Sequence, residues 1–154
     1  MTRAASIEGR ITGPDDAPAV LVLGGISSGK ALLGEGGWWP GVAGAGGALD
    51  PDRYRLISAD FLNTGEAGFP STGEQARALL GLIAGWDIDR FHVVGASYGG
   101  SIGLALALAA PDRVTGVTCI SAAHRADPLA TAWRSIQRGI AEFGLRHGDG
   151  AGAL

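Results

Sequence analysis

The stretch Phe91 to Gly103, FHVVGASYGGSIG, limits what this chain can fold into more than any other. An apolar run through Phe91, Val93 and Val94 predicts a buried strand that closes on Gly95. Gly95-Ala96-Ser97-Tyr98-Gly99 then reads G-x-S-x-G. A small-residue helix is predicted over Ser101–Ala110, stopped by Pro111. Strand, tight turn and helix in that order are the context a nucleophile elbow requires. A serine on such a turn stands exposed above the sheet, and the amides at the helix N-terminus beneath it can stabilise a developing oxyanion. The motif by itself is weak in a chain with 27 glycines, where the plainer reading is a glycine-rich helix entry. Its place between this strand and this helix makes Ser97 the candidate nucleophile.

Upstream, residues 6–13 alternate weakly and predict a short edge strand, and Pro14 to Pro18 a turn. Ala19–Leu23 (AVLVL) is a continuous apolar run, as expected of a strand buried on both faces of a parallel sheet. Gly34 to Gly47 is a glycine-rich loop around Trp38, Trp39 and Pro40, and Tyr54–Ala59 a further strand ending at Asp60. After a loop with Gly65, Gly68 and Pro70, Ser71-Thr72-Gly73-Glu74-Gln75 reads as a capping box. The helix it opens places Ala78, Leu79, Leu82, Ile83 and Trp86 on one face. Beyond the elbow, Val114–Ser121 predicts another buried strand and Pro128 to about Gly144 a helix. Strands alternating with helices imply right-handed crossovers and a mostly parallel, doubly wound α/β sheet in a single domain over 1–154. Ligands in such sheets sit at the carboxyl ends of the strands. Three loops meet there: Gly24–Lys30, Asp60–Gly65 and the Ser97 turn.

Length and composition narrow the field. The 154 residues are enough for one compact core, and 46% apolar against 18% charged residues predict a globular chain. A formal charge of −3 without a basic block argues against a nucleic-acid partner. Cys119, the single cysteine, excludes disulfide scaffolds and cysteine-based metal sites and is read as a core residue in the run VTGVTCI. No run approaches the ~18 apolar residues of a membrane span, and no secretory signal stands at the N-terminus. The expectation is a cytoplasmic protein without a membrane partner.

Gly24-Gly25-Ile26-Ser27-Ser28-Gly29-Lys30-Ala31 nearly matches the phosphate loop G-x-x-x-x-G-K-[ST] and follows a strand. Ala31 replaces the hydroxyl that would hold Mg²⁺, and a glycine-rich loop follows where a helix should receive the phosphate. The better reading makes this loop an oxyanion donor. With a nucleophile elbow, one amide comes from the residue after the nucleophile, here Tyr98, and the other from a loop after an earlier strand, here Ile26 or Gly25.

LGGISSGK, GWWPGVAGAGGALDPDRYRLISADFL, VVGASYGG and ISAAHRADPLATAWRSIQR together resemble the homoserine O-acyltransferase family. The resemblance runs from about Ala19 to Gly150, and the last block is its most specific part. It implies an α/β-hydrolase fold, a role in methionine biosynthesis and ping-pong acyl transfer: an acyl-CoA acylates the serine, and the amino-acid hydroxyl then takes the acyl group. It implies no bound cofactor and no metal, acyl-CoA (succinyl-CoA or acetyl-CoA) as co-substrate, and a homodimer for the full-length enzyme. By position it implies Ser97 as nucleophile, and Gly25, Ile26, Ser27 and Ser28 as the segment that shapes substrate specificity. Arg134 falls where the acyl donor is selected. A guanidinium there suits the free carboxylate of succinyl-CoA, whereas the resemblance implies an acidic residue in acetyl-specific relatives. Succinyl transfer is therefore favoured. The plainer reading of Arg134 is an exposed helix residue, with Arg138 a solvated neighbour.

A serine nucleophile needs a base, and the base an orienting carboxylate, in the order Ser, Asp, His in this fold. His92 precedes Ser97, His124 follows the next strand too soon, and His147 falls in a glycine-rich tail, so all three are read as structural or surface residues. The family's enzymes are longer. The chain reads as their N-terminal portion, truncated before the lid and the C-terminal strands, with the catalytic Asp and His beyond Leu154 and no activity of its own. The alternatives are a serine O-succinyltransferase, a generic α/β-hydrolase esterase and a non-catalytic truncated paralogue.

Overall fold

The computed structural model describes residues 7–63, 70–125 and 127–148. Ser6, the loop glycines Gly65 and Gly68, and the tail from residue 149 onward lie outside the described residues. The chain divides into two compact units, Met1–Ala122 and Ala123–Leu154.

The first unit alternates strands and helices: β1 (Gly9–Thr12), β2 (Ala19–Leu23), β3 (Arg55–Ala59), α1 (Thr72–Ala84), β4 (Phe91–Ala96), α2 (Tyr98–Ala109) and β5 (Val114–Ile120). The sheet order is β1-β3-β2-β4-β5. β1 runs antiparallel to β3 at the edge, and the other neighbours are parallel. The expected mostly parallel α/β sheet is thus present, and its weakly alternating first strand sits at the edge as its pattern predicts.

Alternation along the central strands feeds two cores. Leu21 and Leu23 of β2 and Phe91 and Val93 of β4 point into one, against Ala76, Leu79 and Ile83 of α1 and Ile102 and Leu106 of α2. Side chains such as Leu21, Leu79 and Phe91 are almost wholly buried, each contributing ~1.5–3 kcal/mol. Val20 and Val22 point to the other face, where Leu32, Ala43, Leu49 and the Trp38–Trp39 pair cover them. The cover is irregular chain, where a regular doubly wound sheet carries a helix. Buried Asp50 orders it by accepting from the amides of Gly46 (2.7 Å) and Asp52 (3.0 Å). Those amide bonds hold its carboxyl below the ordinary range.

Ser71 caps α1 through the capping box its sequence predicts, with Glu74 closing the reciprocal bonds. Those bonds lower the carboxyl of Glu74. Several details differ from the sequence reading. The buried face of α1 includes Gln75 and Ala76, while Ala78, Leu82 and Trp86 are only half-buried. α2 begins at Tyr98 rather than Ser101, because Ser97 itself is the N-cap. β5 is half-exposed rather than buried, since among the described residues only β4 pairs with it. Cys119 lies on that strand and is exposed, not a core residue, with Sγ 3.7 Å from the Gly100 carbonyl.

The second unit is built on α3 (Pro128–His147), which Asp127 caps by accepting from the Ala130 amide at 2.7 Å. It runs past Gly144 to include His147, whose ring meets Phe143 at 4.6 Å rather than lying in a tail. Leu129, Trp133, Ile136, Ile140 and Phe143 line one exposed apolar stripe. Arg134 and Arg138 project from the other side of the helix, three or four residues being one turn. Among the described residues, no helix is long and apolar enough to cross a membrane.

Candidate active site

The centre of the site is the turn from β4 into α2. Ser97 has φ 53° and ψ −118°, a conformation sparsely available to residues with a Cβ, and its side chain is exposed. Two glycines allow the turn to exist. A Cβ at Gly95 would stand 2.5 Å from the Gly99 carbonyl oxygen, and one at Gly99 only 2.4 Å from the carbonyl oxygen of Leu23. The helix can therefore start immediately after the strand only because both positions lack a side chain. The Ser97 amide donates to Ile120 of β5 at 2.8 Å, which ties the turn to the sheet.

The first amides of α2 have no acceptor within the helix. Gly99 donates to the Gly24 carbonyl (2.9 Å), and Gly100 and Ser101 donate to the Ser97 carbonyl (3.0 and 3.3 Å). Tyr98 is left as the amide of that turn without an acceptor among the described residues, as an oxyanion donor must be in the free state. Its ring is fixed from two directions. The hydroxyl donates to the Pro70 carbonyl at 3.3 Å, and Phe61 packs edge-on at a centroid distance of 5.1 Å.

The Gly24–Lys30 loop lies beside this turn for a reason of register. Leu23 pairs with Gly95, so the residues after β2 leave the sheet level with Ser97, and the Gly99–Gly24 bond joins the two directly. Gly25 to Ser28 closes as a tight turn, the Ser28 amide and hydroxyl both donating to the Gly25 carbonyl (2.9 and 2.7 Å). Ile26 is 66% exposed at its tip. Lys30 does not extend toward a phosphate. Its ammonium pairs with Asp60 at 3.0 Å and with Glu8, and these partners raise its pKa. Partial burial pushes Asp60 upward, but the Lys30 amide and ammonium outweigh it and hold its carboxyl below the ordinary range.

The third loop, after β3, is held by Gln75, to which the sequence assigns only a place at the end of the capping-box stretch. Gln75 is buried, accepting from the Leu62 amide at 2.7 Å and donating to the Leu62 carbonyl at 2.9 Å. Its only sequence signal was its place in the first turn of α1, on the side that faces the strands.

Among the described residues, no histidine is hydrogen-bonded to Ser97. His92 shares a 2.9 Å hydrogen bond with Thr118 across β4 and β5, and His124 and His147 belong to the second unit. Arg134 also belongs to the second unit, exposed on α3. The structure therefore brings together Ser97, Tyr98 and the segment Gly25, Ile26, Ser27 and Ser28.

A mostly parallel sheet carrying an exposed serine on a strained strand-to-helix turn defines an α/β protein with the geometry of a nucleophile elbow. The chain belongs to the alpha/beta hydrolase fold family, whose model matches residues 18–144. It is 41% identical over 142 residues to the homoserine O-succinyltransferase of Xanthomonas campestris pv. campestris, a match covering 87% of this chain and 38% of that protein. It is 32% identical over 128 residues to a homoserine O-acetyltransferase of Thermus thermophilus, covering 71% and 34%. The crystal structure of a homoserine O-acetyltransferase from Bacillus anthracis shares its fold at a TM-score of 0.74 and 20% identity, covering 91% of this chain and 46% of that one. The chain thus spans well under half the length of the curated relatives it matches.

Proposed function

We propose that the full-length protein is an acyl-CoA-dependent O-acyltransferase that acylates the hydroxyl of homoserine, with succinyl-CoA as the favoured donor and Ser97 as nucleophile. The observation that carries this reading is the strained, exposed Ser97 turn in a chain 41% identical to a homoserine O-succinyltransferase. The Ser97 hydroxyl attacks the thioester carbonyl as a base takes its proton, and the oxyanion is held by the amides of Tyr98 and of Ile26 or Gly25. Collapse expels the coenzyme thiolate, which takes up a proton and leaves an acyl-serine. The acceptor hydroxyl then attacks that ester and restores Ser97. Gly25, Ile26, Ser27 and Ser28 border the acyl group in this scheme and shape which substrate fits. Arg134 pairs with the free carboxylate of the succinyl donor.

The base and its orienting carboxylate are assigned to residues beyond Leu154. Two findings support that: the short span relative to the curated relatives, and the hydrogen bond that engages His92 with Thr118. The described chain alone is expected to be inactive.

The test is single-turnover acylation of the full-length protein by succinyl-CoA and by acetyl-CoA, read by intact mass, followed by homoserine or serine as acceptor. Acyl-enzyme formation lost in Ser97→Ala, and a donor preference reversed in Arg134→Glu, are the expected results. Hydrolysis of simple esters without use of either acyl-CoA would replace this reading by an esterase.

A further inference from the structure

Lys30, which resembles a phosphate-loop lysine in sequence, stands at the end of the proposed oxyanion loop. Besides the Lys30–Glu8 pair, contacts from Trp38, Ser58 and Asp60 converge on Gly29 and Lys30. Trp38 Nε1 donates to the Gly29 carbonyl at 2.8 Å, and Ser58 Oγ donates to the Lys30 carbonyl at 2.7 Å. The Lys30 amide donates to Asp60 Oδ1 at 3.0 Å, while its ammonium pairs with Asp60 Oδ2 at 3.0 Å. Gly29 lies so close to the same carboxylate that a Cβ there would stand 2.7 Å from Oδ1. The loop's other end is held by the Gly99–Gly24 bond and by the Trp38 ring, 2.7 Å from where a Cβ on Gly24 would be. Only Gly25 to Ser28 lie between the two anchors. A segment that short, fixed at both ends and closed by the Ser28–Gly25 bond, has little freedom to rotate.

We propose that Lys30 and Asp60 are positioning residues for the acyl-transfer reaction: Asp60, gripping both the amide and the ammonium of Lys30, sets the orientation of the Gly25–Ser28 turn and with it the second oxyanion donor. This rests on the reading of Ser97 as the nucleophile. Neither residue touches substrate in this role. Oxyanion stabilisation depends on donors already aimed at the developing charge, so a small rotation of the turn lowers the rate without changing ground-state binding.

The experiment compares Asp60→Ala, Asp60→Asn, Lys30→Met and Lys30→Arg in the full-length protein, with kcat normalised to the amount of Ser97 that can be acylated. Asp60→Ala breaks both contacts and is expected to lower kcat by roughly 10–100-fold with KM for the acyl-CoA nearly unchanged. Asp60→Asn keeps an acceptor for the Lys30 amide, and Lys30→Met keeps the amide itself, so both should fall between Asp60→Ala and wild type. Lys30→Arg should restore most of the rate. A residue needed only for folding would change the amount of acylatable enzyme and leave the normalised kcat alone. Hydrogen exchange supplies the second readout: the amides of Ile26, Ser27 and Ser28 should exchange faster in Asp60→Asn while those of α1 and β4 do not. Wild-type normalised kcat and loop exchange in both Asp60→Asn and Lys30→Met, with Ser97→Ala inactive, would overturn the positioning role alone. Turnover persisting in Ser97→Ala would overturn the nucleophile reading and this inference with it.

Discussion

Replacing Ser97 by glycine is expected to stabilise the protein while removing the proposed nucleophile. At φ 53° and ψ −118° the Ser97 Cβ crowds its own backbone, and a non-glycine residue so held costs about 1–3 kcal/mol. Glycine adopts the same angles without that crowding. Against this stands the greater freedom glycine gives the unfolded chain, about 0.5–1 kcal/mol. The hydroxyl makes no capping bond to α2 and the side chain is exposed, so its loss removes little else. The balance is a gain of about 0–2.5 kcal/mol, centred near 1. Ser97→Ala keeps the Cβ and the strain, and should stay within ~0.5 kcal/mol of wild type. Urea unfolding of the three proteins resolves this. With a slope near 2 kcal/mol per molar, typical of small domains, a gain of 1 kcal/mol raises the midpoint by about 0.5 M. A Ser97→Gly midpoint at or below that of Ser97→Ala, with equal slopes, would refute the reasoning, because the turn would then hold no strain that a side chain feels.

Two further outcomes follow from contacts around the site. Gln75→Leu preserves bulk but orphans the half-buried amide and carbonyl of Leu62, at ~1–3 kcal/mol each, offset in part by the apolar gain. A net loss of about 2–4 kcal/mol is expected from urea midpoints, and a loss under ~0.5 kcal/mol would show that these bonds contribute nothing net. The carboxyls of Asp60 and Glu74 lie below the ordinary carboxylate range of roughly 4, so their contribution is present above that range and is lost as pH falls through their lowered values. Stability should therefore be flat between about pH 5 and 7 and fall below about pH 4, with a shallower acid limb in Asp60→Asn. An unchanged acid limb in that variant would show that Asp60 is not among the groups responsible.

Much of this was legible in the chain itself. AVLVL alternates into two cores because both faces of β2 are covered, and a continuous apolar run records that directly. The Ser71–Glu74 box caps its helix because the bonds it needs are local. Gly95 and Gly99 mark the elbow because any side chain there would strike backbone, a requirement that holds whatever surrounds it. The G-x-S-x-G turn, the strand before it and the helix after it were therefore readable without coordinates.

What tertiary structure decided has one physical cause: the outcome depended on neighbours distant in sequence. Gln75 is polar and sits in a helix, and nothing local announces that the Leu62 peptide will close around it. Cys119 reads as core, yet it is exposed and β5 only half-buried, because a strand's burial is set by what pairs beside it. Lys30 fits a phosphate-loop pattern by spacing, but Asp60 and Glu8 reach it from the residue after β3 and the residue before β1, and those ion pairs engage its ammonium.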